Sequence, residues 1–131
     1  MTAARALRLA ARAALALAGL ACRGSDPSAA QAVAALTGGG DAGRGRLAIP
    51  RYGCPACHTI PGIPGADGLV GPPLGGIANR AYIGGVLTNT PAHMVDWLLS
   101  PPSFSPRTAM PVVGLSPADA RDIAAYLYTL R

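Results

Sequence analysis

Tyr52-Gly53-Cys54-Pro55-Ala56-Cys57-His58 places two thiols and an imidazole within five residues, Cys54 to His58. The order Cys-x-x-Cys-His is that of c-type haem attachment. Two cysteines form thioethers with the two vinyl groups, two intervening residues match the spacing of those vinyls, and the following histidine reaches the iron from one face. Two other chemistries use paired cysteines. A thioredoxin-like redox site needs a βαβ context, and no run of alternating β-branched residues lies nearby. A zinc site needs four ligands, and the rest of the chain offers only Cys22 and His93 as sulfur or nitrogen partners.

The 131 residues suit one domain plus a targeting segment, and the formal charge of +5 at first suggests an anionic partner. The distribution of that charge removes the suggestion. Arg5, Arg8 and Arg12 precede the apolar run Ala13–Ala21. A basic start, a short apolar core and small residues before a cut site read as an export signal over residues 1–21, too short for a transmembrane helix. Without those three, eight of the eleven arginines face six acidic residues, a balance of about +2. No basic patch for nucleic acid remains.

Cys22 follows Gly19-Leu20-Ala21 and leaves an odd thiol in an exported chain. Its position is that of a lipidated first residue; the alternatives are ordinary cleavage or an uncleaved N-terminal anchor. Residues 22–42 carry Gly24-Ser25-Asp26-Pro27-Ser28 and Gly38-Gly39-Gly40 around an alanine-rich patch, the composition of a flexible tether with at most one short helix. A domain of about 89 residues, 43–131, follows. It is small for a self-sufficient core, and its aromatic residues are few: Tyr52, Tyr82, Trp97, Phe104, Tyr126 and Tyr128.

Within that domain Asp41–Ile49 reads as a helix capped by Asp41, which Pro50 should stop or kink. After His58 the chain has too many prolines and glycines for regular structure. Thr90 caps a short amphipathic helix with Pro91 in its first turn and apolar residues at 94, 95, 97, 98 and 99; Pro101 and Pro102 end it. Near a helix start His93 is a surface histidine and Met94 a core methionine. Ser116, Pro117 and Asp119 open the last helix, whose buried face is Ile123, Tyr126, Leu127 and Leu130.

The Cys54–His58 motif, the Gly71-Pro72-Pro73-Leu74 stretch, the aromatic and leucine before Pro101, and the Pro106–Pro111 loop together resemble the class I cytochromes c, bacterial respiratory type, over residues from about 43 to 131. The resemblance implies an all-α, cytochrome c-like fold of three to five short helices wrapped around one haem covalently held by Cys54 and Cys57. It implies that the first helix crosses the last closely near Gly45 and Ile49, and that the carbonyl of Pro72 accepts the Nδ1 hydrogen of His58. Met110, nine residues after Pro101, becomes the sixth iron ligand opposite His58; Arg80 and Thr108 lie near haem propionates, and Trp97 packs on the ring.

The function so implied is one-electron transfer in a respiratory chain, not catalysis. His/Met ligation suits its high-potential end. Redox proteins of that chain would be the partners. Haem attachment in this family takes place outside the cytoplasmic membrane, in agreement with the export signal and a location on the periplasmic side, lipid-anchored through Cys22 or soluble. Competing readings are a fixed haem subunit of a larger oxidase or dehydrogenase, and a haem peroxidase or gas sensor with an open sixth position.

Overall fold

The computed structural model describes residues 27–131, so the export signal expected over residues 1–21, and Cys22, lie outside the described residues. Among the described residues there are five helices: α1 (Pro27–Leu36), α2 (Ala42–Arg51), α3 (Pro91–Leu99), α4 (Pro101–Phe104) and α5 (Pro117–Leu127). Two single 3-10 turns, Cys54–Ala56 and Ile77–Asn79, and one small hairpin, β1 (Tyr82–Ile83) with β2 (Leu87–Thr88), punctuate the long loops. The arrangement is all-α, as expected.

Local chemistry explains the helix starts. The Asp41 carboxylate accepts the Arg44 N–H at 2.7 Å, the Thr90 hydroxyl accepts that of His93 at 3.2 Å, and the Ser116 hydroxyl accepts that of Asp119 at 3.1 Å. Each satisfies a donor that the first turn leaves without an intrahelical partner. One proline expectation needs a correction. α2 passes Pro50 and ends at Arg51, because a proline in the last turn forfeits one hydrogen bond while its φ stays helical. α3 does end ahead of Pro101 and Pro102, with a break at Ser100, and Pro101, suited to a first helical turn, also starts α4.

α1 occupies half of the stretch whose composition reads as a tether. It leads to Thr37, buried at 3% exposure, and to Gly40, where a Cβ would stand 2.2 Å from the Arg121 carbonyl oxygen. The ordered body therefore reaches back at least to Thr37, ahead of Asp41.

α2 and α5 cross at the centre of the molecule. The crossing depends on Gly45, since a Cβ there would sit 2.0 Å from the Asp122 carbonyl oxygen. Ile49 of α2 and Ile123 of α5 are among the most deeply buried side chains. The expected face of α5 is too narrow, because residues 122–127 are all buried and Leu130 is only half-buried. One of the buried residues is charged. Asp122 accepts the Asp41 N–H at 2.8 Å and the Arg44 Nε and Nη2 at 2.7 and 2.9 Å, tying the start of α2 to α5. The Arg44 guanidinium holds the Asp122 carboxyl below the usual carboxylate range, against the opposing pull of burial.

Candidate haem site

α2, α3 and α5, the Cys54–His58 turn and the loop carrying Met110 enclose a cavity of about 310 Å³. Close-packed interiors contain few voids larger than a water molecule, so an apolar hollow of this size marks a site for an organic group. Ile49, Ile60, Met94, Leu98, Ile123 and Leu127 supply much of its apolar lining.

The motif enters this cavity as a tight turn. Gly53, at φ +73, reverses the chain after α2, and the Cys54 carbonyl accepts the N–H groups of both Cys57 (3.2 Å) and His58 (3.0 Å). Cys54, Cys57 and His58 all line the hollow, and both thiols are free and half-buried. Burial pushes the Cys54 thiol up, which keeps it protonated. Among the described residues no three His, Cys, Asp or Glu side chains gather as a metal cluster.

His58 is held from behind. Its Nδ1 lies 2.7 Å from the Pro72 carbonyl oxygen; an oxygen acceptor there requires the hydrogen on Nδ1 and leaves the Nε2 lone pair for a metal. Gly71 closes on the ring itself: a Cβ would fall 2.3 Å from Cε1 and 2.7 Å from Nδ1, so only glycine lets the backbone pass. The loop is pinned by Gly71 N–H to the Cys57 carbonyl at 2.7 Å and Leu74 N–H to the Thr59 carbonyl at 2.8 Å. Arg80, expected beside a propionate, lines the cavity, and its Nη2 donates to the carbonyls of Pro73 and Gly75, bracing the same loop.

Met110 reaches the cavity from the loop after α4 and is fixed at two points. Its N–H donates to the Thr108 hydroxyl at 3.2 Å, and its Sδ accepts the Trp97 indole N–H at 3.2 Å. Thr108, another residue expected near a propionate, thus also shapes the methionine loop. Trp97 is 7% exposed and belongs to the core beneath the cavity. Leaving such a buried donor unpaired would cost about 1–3 kcal/mol. Met94 also faces the hollow but is 2% exposed and packed within the core. His93 is half-buried and its Nδ1 meets the Thr88 carbonyl at 2.8 Å, away from the cavity lining.

The cytochrome c family model matches residues 42–131. The chain belongs to the cytochrome c family. Its helices are those of a cytochrome c-like all-α fold, and family membership implies a covalent c-type haem and haem-based electron transfer; cytochromes c generally carry electrons and are not enzymes. No curated protein matches the chain. The residues present fit the group: an apolar cavity, two free thiols on its wall, an imidazole with one nitrogen committed and the other available, and a thioether facing the same space.

Sequence reasoning overlooked several contributors to this cytochrome's site. Gly71 and Gly84 matter through close approaches that only the folded chain creates. The hairpin β1–β2 carries Gly84-Gly85 between Ile83 and Val86, a turn signal that was available in the sequence. Asn89 donates to the carbonyls of Ile77 and Arg80, both at 2.8 Å, and accepts the Tyr128 hydroxyl at 2.7 Å. That lock holds the loop below the cavity to the end of α5.

Proposed function

We propose that this protein is a class I, mono-haem cytochrome of bacterial respiratory type that passes single electrons between redox proteins on the periplasmic side of the cytoplasmic membrane. The observation that carries this reading is the pair of pre-arranged donors on one cavity: His58, its tautomer set by Pro72, and Met110, its sulfur held by Trp97. When bound, the haem supplies a ferric/ferrous couple. Cys54 and Cys57 would anchor it by thioethers, and His58 Nε2 and Met110 Sδ would hold its iron. Two such protein donors on one cavity favour a carrier over a peroxidase or gas sensor, which need an open position. One Cys-x-x-Cys-His in the chain supports one haem.

Val70, 76% exposed on the cavity rim, and its chain neighbour Leu69 at 86% give an exposed apolar surface suited to transient protein contacts. Residues 1–21 act in this reading as the export signal, and lipidation of Cys22 ties the domain to the membrane. A fixed place in a larger oxidase or dehydrogenase would use the same surface. Intact mass of the holoprotein and a potentiometric titration test the function: one haem per chain and a single one-electron step are expected. Two haems, or rapid cyanide binding to the ferric form at stoichiometric concentrations, would refute the carrier reading.

A further inference from the structure

Every described residue that both lines the haem cavity and is exposed to solvent is uncharged. Val70, Pro72, Tyr82, Ala109 and Pro111 form this mouth together with glycines, and Tyr82 is 59% exposed. The domain is not short of charge. Residues 27–131 hold seven arginines and five aspartates, and the chain has neither lysine nor glutamate. Arg44 and Arg51 pair with Asp122 and Asp119 at 2.7 and 3.5 Å, and Arg46 donates to the Gly62 carbonyl at 3.1 Å. Arg80, the one arginine of the lining among the described residues, is half-buried and turned onto the Pro73 and Gly75 carbonyls. Arg107 and Asp67 are the exposed charges nearest in sequence to Ala109 and Val70, and both lie outside the lining.

A charged cleft steers oppositely charged partners and makes their association depend on salt. An uncharged apolar mouth does neither. It also disfavours a partner patch rich in carboxylates or ammonium groups, since docking would strip water from those charges and return no opposite charge. We propose that this mouth is the electron-exchange surface and that it fits a redox protein whose own exchange patch is apolar and uncharged, so that desolvation drives docking and ionic strength scarcely affects it. The inference rests on the reading of the protein as an electron carrier. One electron passes from the reduced to the oxidised partner across the contact, and no bond forms or breaks. A small apolar contact of this kind is short-lived, which suits a carrier that must release its partner after each transfer.

The test is electron self-exchange between ferrous and ferric holoprotein, measured by NMR, because a second copy of the chain offers the mouth a patch of the required chemistry. The wild-type rate should change by less than about twofold between roughly 0.01 and 0.15 M salt, over which the screening length falls from about 30 to about 8 Å. Val70→Lys sets like charges face to face. Two unit charges about 7 Å apart in water repel by roughly RT, so exchange should slow about threefold in dilute salt and recover toward wild type near 1 M. Tyr82→Lys repeats the test at a second exposed position should the first variant load haem poorly, and Arg107→Gln should alter neither the rate nor its salt dependence. A steep salt dependence in the wild type, lysine variants that exchange as fast as wild type in dilute salt, or an Arg107→Gln effect as large as theirs would overturn the proposal. A wild type that shows no exchange at any salt would instead overturn the carrier reading.

Discussion

Replacing Gly45 by alanine tests the helix crossing on which the cavity is built. Helix propensity alone favours the change by roughly 0.5–1 kcal/mol, because glycine is the poorer residue inside a helix. Packing opposes it. The new Cβ would meet the Asp122 carbonyl oxygen at 2.0 Å, its carbon at 2.5 Å and the Ile123 nitrogen at 2.9 Å. These are backbone atoms and cannot rotate aside, so α2 and α5 must separate, moving Ile49 and Ile123 at the back of the cavity. Overpacking of this kind costs about 1–3 kcal/mol, and contact with rigid backbone places the cost near the upper end. The net destabilisation is about 2 kcal/mol, and at ~4–8 °C for each kcal/mol in a domain of this size the melting temperature should fall by roughly 8–16 °C. Thermal denaturation of the holoprotein followed by far-UV circular dichroism and by the Soret band measures it. Gly43→Ala is the internal control, since it lies on the exposed side of the same helix and its Cβ meets only the Asp41 Oδ1 at 3.1 Å. Equal melting temperatures for the two variants would refute the reasoning.

The remaining predictions are more compact. Gly71→Ala should disturb His58, lowering haem incorporation and broadening the ferric spectrum, because the added methyl occupies the space of the imidazole edge. Asp122 is held below its ordinary pKa by Arg44, so its contribution to stability is full above the unfolded carboxylate pKa near 4 and is lost as pH falls through the lower folded value. Arg44→Met should then narrow the stability gap to wild type in urea titrations below about pH 4 and show it fully at neutral pH. Cys54→Ser combined with Cys57→Ser should give a chain with little cooperative melting, since roughly 90 residues with few aromatics bury too little surface to offset chain entropy. Cys22→Ser should release the protein from the membrane fraction, and mass spectrometry of the wild-type N-terminus should find the cysteine acylated.

What the sequence made legible was chemistry held in neighbouring residues. Asp41, Thr90 and Ser116 announce helix starts because a cap acts within three residues, and Cys54, Cys57 and His58 declare their partner because vinyl spacing is a local constraint. Relations between distant segments were legible only through resemblance, as with the approach of Pro72 to His58. Others were invisible: Gly84 and Gly40 look like ordinary loop glycines until another segment lies against them, the resemblance marked Gly71 without its contact on the His58 ring, and Asp122 looks like a solvated helix residue until α2 covers it. Arg80 and Thr108 follow the same logic. Their types suit a carboxylate, and beside that expected role each braces a loop through backbone contacts that only the folded chain creates.

Among the described residues two methionines face the cavity: Met110 is half-buried on a loop that holds its sulfur there, and Met94 is locked in the core at 2% exposure. The ferric absorption spectra of Met110→Ala and Met94→Ala holoproteins, recorded beside a potentiometric titration of each, decide the arrangement of the redox centre. The account predicts that Met110→Ala loses the sulfur-to-iron charge-transfer band and drops in potential, while Met94→Ala keeps the band and loses only thermal stability. Loss of the band in Met94→Ala with its retention in Met110→Ala would contradict the His58–Met110 axis.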